Sequence, residues 1–145
     1  MTIHRLFSKD PNDEEENVTQ NIYVFRFILF CIIVYSFEML LNSVDIFIVD
    51  KTIFTRGYVT GCLFAAVYVL ILLHLGLEHP LTKYVSITAV SLIIMAASVS
   101  LTYHMIIIIM MPIIIAGMYT SKQLSIYTFV LTVLSIIISL SLIHI

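Results

Sequence analysis

The chain has 145 residues, of which 61% are hydrophobic and 11% charged, with a formal net charge of −2. Soluble domains run near 45–50% apolar and about 25% charged, so a water-soluble core does not account for this composition. A charge this close to neutral gives no reason to expect a nucleic-acid partner, and the apolar runs of 18 or more residues mark an all-α, polytopic transmembrane helical bundle.

Residues 1–21 form a polar, acidic N-terminal tail, with Pro11 and the run Asp13, Glu14, Glu15 and Glu16 just ahead of the first apolar segment. Acids there favour the positive end of a helix dipole. The tail lacks the basic start of a signal peptide, so targeting falls to the first membrane helix. The triplet Asn17-Val18-Thr19 matches a glycosylation sequon, a pattern common by chance.

The apolar periodicity predicts about five helices, at 22–41, 58–77, 84–101, 102–119 and 124–145, each roughly 27–33 Å long at the helical rise and so matched to a bilayer. The first contains Arg26, close enough to its start to reach the surface, and Glu38 near its far end. Segments 42–57 and 78–83 carry the polar residues Asn42, Asp45, Asp50, Lys51, Arg56, Glu78, His79, Pro80 and Lys83, and read as water-facing turns. Cys31 and Cys62 both lie inside apolar runs and read as small packing groups rather than a disulfide.

Between the third and fourth helices the break is subtle. One helix over 84–119 would reach about 54 Å, far beyond a hydrocarbon layer of roughly 30 Å, so a turn is expected near Tyr103 and His104. Pro112 then kinks the fourth helix and is the candidate hinge. The fifth segment stays apolar to Ile145, a pattern that suggests truncation before a sixth helix.

Lysine and arginine placement orients the bundle. With the N-terminus cytoplasmic, Arg5, Lys9, Arg26, Lys83 and Lys122 face inward, against Lys51 and Arg56 outward. The expected location is the plasma (inner) membrane.

Two stripes of small residues are candidate helix-packing faces: Gly57, Gly61 and Ala65 on the second helix, and Ser125, Thr128, Thr132, Ser135 and Ser139 on the fifth. Thr88, Ser91, Ser98 and Thr102 repeat the spacing on the third. The same faces would serve a homodimer, and the bilayer is the other expected partner.

Helix order brings Glu38, His104 and His144 to one end of the bundle, where a carboxylate and two imidazoles are candidate sensor or ligand groups. Each can equally meet headgroups or water alone, since no metal-ligand spacing links them. At the opposite surface, His74, Glu78 and His79 approximate an H-x-x-E-H motif with one residue too many, and read as a helix end. No phosphate loop, nucleophile elbow or CxxC pair is present, so no catalytic or cofactor site is expected and the chain is not read as an enzyme.

The stretch "LTYHMIIIIMMPIIIAGMYTSKQLSIYT" (101–128) resembles the end of the membrane region of some Firmicutes signalling proteins. The matching residues are Tyr103, His104, Pro112, Tyr119, Lys122 and Tyr127. That family carries a cytoplasmic GGDEF diguanylate cyclase domain after its helices, which this sequence does not contain. The resemblance implies a bacterial sensory or regulatory input module in cyclic di-GMP signalling. A small transporter subunit and a membrane scaffold are the alternatives.

Overall fold

The computed structural model of the protein describes residues 16–46, 49–101, 108–119 and 121–143. These residues form four long helices and one short one: α1 (Glu16–Ser43), α2 (Lys51–Leu75), α3 (Thr82–Leu101), α4 (Met111–Gly117) and α5 (Lys122–Ile143), with a 3₁₀ turn at Ile108–Met110. The four long helices are each long and apolar enough to cross a membrane.

Helix bounds differ from the sequence expectation at the starts of α1 and α2. α1 starts at Glu16, inside the acidic tail. α2 starts at Lys51 rather than 58, because the Asp50 carboxylate accepts hydrogen bonds from the Thr52 and Ile53 amides at 2.9 Å and caps the helix there. The segment read as a long turn therefore shrinks to residues 44–50, with Asp45 at φ 60 and its carboxylate 2.8 Å from Lys51 Nζ.

α2 ends at Gly76, whose φ of 84 favours glycine and whose amide donates to the Leu72 carbonyl. A Cβ added there would meet nothing within 4 Å, so conformation rather than space selects the glycine. Thr82 Oγ1 then donates to the Gly76 carbonyl at 2.7 Å, tying the tight turn into the start of α3. α2 and α3 make the most extensive contact in the bundle, and α3 also packs on α1 and α5. α3 is the buried centre, with 56% of its apolar window inside the protein, against 17–28% for the other three spans.

α3 and α5 run parallel. Thr88 meets Tyr127 near the start of both, and Ser98 meets Ser139 near the end of both. The chain must therefore recross the bundle between Leu101 and Lys122. That return leg is broken where its structure is described: only the 3₁₀ turn and the 7 residues of α4 are helical. Residues 102–107 lie outside the described residues, so Tyr103, His104 and the start expected for a fourth helix at 102 do too. Pro112 lies in the first turn of α4, not in the middle of a helix. Proline lacks the amide that an ongoing helix needs, and the first turn is where that loss is free.

Candidate functional site

Four polar contacts between helices fix α3 in the bundle, and two hydroxyls left without a partner among the described residues mark where the arrangement is incomplete. At the end where α1 begins, Asn21 Nδ2 donates to the Leu77 carbonyl at 2.9 Å and Asn21 Oδ1 accepts from the Tyr119 hydroxyl at 2.8 Å. One amide thus joins the start of α1, the α2–α3 turn and the end of the return leg. Asn21 and Tyr119 are 1% and 3% exposed, a depth at which an unbonded amide or phenol is costly. Nearby, Tyr68 of α2 meets Ser86 of α3 at 3.1 Å.

At the other end, Tyr35 of α1 reaches Ser100 of α3 at 2.6 Å, across Gly57 of α2. A Cβ on Gly57 would lie 2.6 Å from Ser100 Cβ, so only glycine allows this crossing; at Gly61 the same atom would sit 3.4 Å from the Tyr35 ring. Phe54 and Tyr58 pack edge-on against Tyr35, with centroids at 5.3 and 5.4 Å, and Tyr58 bonds Ser36 at 2.9 Å.

The proton direction follows from the backbone. Ser36, Ser98 and Ser100 each donate to a carbonyl of their own helix, and Thr88 donates to that of Tyr84. Each of these hydroxyls has spent its one proton, so the partner across the interface donates: Tyr58, Ser139, Tyr35 and Tyr127 respectively. Tyrosine is thus the residue that reaches between helices at three of these four contacts.

The predicted packing residues divide between two interfaces. Gly57 and Gly61 face Tyr35, Gly57 also faces Ser100, and Ala65 packs against the main core cluster. On α5, Thr128, Thr132, Ser135 and Ser139 are buried and Ser125 is exposed. Thr128 and Ser135 bond carbonyls of α5, whereas the buried Thr132 Oγ1 and Ser91 Oγ have no hydrogen-bond partner among the described residues.

Of the predicted sensor residues, Glu38 is half-buried on α1, one turn beyond Tyr35. His104 and His144 lie outside the described residues, as does Thr102. Among the described residues no three His, Cys, Asp or Glu side chains are grouped to hold a metal. Arg26 is half-buried and about 8 Å deeper along α1 than Asn21, within reach of the surface for a side chain of its length.

Sequence reading did not single out Asn21, Tyr35, Tyr68, Ser86 or Ser100 as contact residues. The available signal was a hydroxyl or amide within or at the edge of an apolar run, which does not name its partner.

The fold and these seams define an α-helical, multi-pass membrane protein. No family model, curated protein or solved structure gives a significant match to the chain.

Proposed function

We propose that the chain is a sensory or regulatory membrane module, the role implied by the resemblance of residues 101–128 to the membrane regions of diguanylate cyclase-type receptors. The observation that carries this reading is the broken return leg. Its described part is a 3₁₀ turn followed by a seven-residue helix, packed on the core through Ile109, Ile115 and Ala116 and tied at its end by a hydrogen bond from Tyr119 to Asn21. A signal can shift a bundle only if two packings differ in affinity for it, and a short helix beside a long rigid one is the element able to move. Pro112 is the hinge in this reading and Glu38 a candidate proton-responsive group. The cation distribution favours a cytoplasmic N-terminus, and a bacterial sensory module of this kind belongs in the inner membrane.

Self-association gains no support from the packing stripes. Gly57 and Gly61 are already filled by Tyr35, Gly57 also by Ser100, and Thr128, Thr132, Ser135 and Ser139 of the α5 stripe are buried within the bundle.

The test uses spin labels at Ile114→Cys on α4 and Leu81→Cys before α3, in a background carrying Cys31→Ala and Cys62→Ala. Distances would be measured in thin and thick bilayers, and at pH 5 and pH 8. Two populations that exchange with either variable support the sensory reading. A single unchanged distance would sink it for proton and bilayer signals.

A transporter subunit is the second reading, favoured by the same broken leg, since irregular backbone at membrane depth is tolerated where it is buried in protein or lines a cavity. Proton or potassium flux in proteoliposomes, abolished by Glu38→Gln, would move that reading ahead.

A further inference from the structure

Lys51 and Arg56 are the two cations on the side of the membrane opposite the N-terminus, and both lie in the first two turns of α2. With Thr52, Thr55, Val59 and Thr60 they line a shallow, open groove along one face of α2. At about 100° per residue, Thr52 and Val59 fall along the middle of this face, with Lys51 and Thr55 on one flank and Arg56 and Thr60 on the other. The two cations therefore bracket a floor of hydroxyl and methyl groups.

Both cations have charge to offer. Lys51 meets Asp45 at 2.8 Å, but the two side chains are 57% and 79% exposed, and such a surface pair exchanges readily for a better anion. Arg56 has no ion-pair partner among the described residues. The Asp50 carboxylate is turned to the Thr52 and Ile53 amides as the helix cap, which occupies the nearest competing acid.

The same face continues into the bilayer as an aliphatic stripe. Val59, Leu63 and Leu70 are 59%, 60% and 66% exposed, and they follow the centre of the groove along the helix. Val59 to Leu70 spans about 16 Å at the helical rise, close to one leaflet of a hydrocarbon core roughly 30 Å thick. A free phosphate would use only the cationic end of this surface. A phospholipid uses all of it.

We propose that the first two turns of α2 bind the phosphate headgroup of an anionic phospholipid between Lys51 and Arg56, with its acyl chains along Val59, Leu63 and Leu70. The phosphate takes one charge-assisted contact from each cation, and Thr52 offers a hydroxyl to a glycerol headgroup, while Thr55 and Thr60 already donate to Met39 Sδ and the Arg56 carbonyl. This inference rests on the membrane reading of the chain.

The test uses the full chain in nanodiscs of equal phosphatidylglycerol and phosphatidylcholine, with retained lipid counted by native mass spectrometry. The intact chain should retain phosphatidylglycerol over phosphatidylcholine, and the Lys51→Gln/Arg56→Gln double variant should lose about 30-fold of that preference, the effect of two interfacial cations. The control double variant Lys83→Gln/Lys122→Gln, at the opposite surface, should keep it. Circular dichroism checks that each variant retains its helices.

No preference in the intact chain, or an equal loss in both double variants, overturns the site. Displacement of the lipid by 10 mM inorganic phosphate, about the scale at which a weak free-anion site fills, assigns the groove to a soluble anion and overturns the lipid proposal. Failure of the chain to stay in the bilayer after carbonate washing instead refutes the membrane reading on which the site rests.

Discussion

The two sides of α3 solve the same packing problem to different degrees. Toward α1 and α2, Ser86 meets Tyr68, Ser100 meets Tyr35, and Gly57 lets the Tyr35–Ser100 pair close over it. Toward α5, Thr88 and Ser98 have partners, but Ser91 and Thr132 are buried without one among the described residues. In a bilayer, helices gain little from burying apolar surface against each other, because lipid tails are equally apolar; close packing and hydrogen bonds decide. The α1–α2–α3 side is therefore the stable frame, and the α5 side is the one that repacks at low cost.

The strongest way to break the frame is at Gly57. Gly57→Ala places a methyl group 2.6 Å from Ser100 Cβ, on a side chain whose hydroxyl is bonded to the Ala96 and Ala97 carbonyls of α3. Overpacking of this kind costs about 1–3 kcal/mol, and the upper end is expected here. Gly61→Ala, with 3.4 Å available to the Tyr35 ring, should cost far less. Unfolding of both variants by dodecyl sulfate, followed by circular dichroism, checks the contrast; equal losses would show that the close approach at Gly57 is not what limits the packing.

Asn21→Ala comes next, because it removes two bonds at once and leaves the Tyr119 hydroxyl and Leu77 carbonyl buried. A loss of about 2 kcal/mol is expected, since interhelical hydrogen bonds average about 0.6 kcal/mol in membranes and an unmet buried partner adds to that. It also frees the end of the return leg. Hydrogen exchange in residues 111–117 should rise in this variant more than in α3; uniform exchange across both would mean that Asn21 stabilises the bundle without holding α4.

The sequence made some of this legible and concealed the rest for physical reasons. Apolar run length reports the spans directly, because the bilayer fixes how many residues a helix needs. Small residues at spacings of three and four marked the faces of α2 and α5. What a stripe meets is not written in its own residues: Gly57 faces Ser100 and Tyr35, from two other helices, and nothing local to Gly57 encodes either. The start of α2 was missed because Asp50 and Lys51 look like loop residues by polarity, while the Asp50 carboxylate acts as a cap. Pro112 was legible as an interruption, but its place in a first turn depends on the 3₁₀ turn before it. Glu38 stood out as an ionisable residue in an apolar run, yet neighbours for it cannot be read from helix order alone.

A smaller effect is expected at Tyr35→Phe. The ring and its edge-on contacts with Phe54 and Tyr58 remain, and Ser100 still donates to the Ala97 carbonyl. Only the phenol's bond is lost, so about 0.6–1 kcal/mol is expected from the same unfolding measurement. A loss near that of Gly57→Ala would mean that the bond, rather than the close approach, holds the frame together.

The smallest effect, and the sharpest test of the contrast, lies in the α5 seam. Ser91→Ala and Thr132→Val each delete a buried hydroxyl that has no partner among the described residues and keep most of its volume. Removing an unmet polar group should be neutral or stabilise the bundle by up to about 1 kcal/mol, opposite in sign to every change in the frame. The double variant should add no further penalty if the two groups are independently unbonded. A clear loss in either single variant, of the size seen for Tyr35→Phe, would reveal a partner such as an ordered water. The α3–α5 side would then be as fully bonded as the other, and the ease of repacking that distinguishes it would vanish.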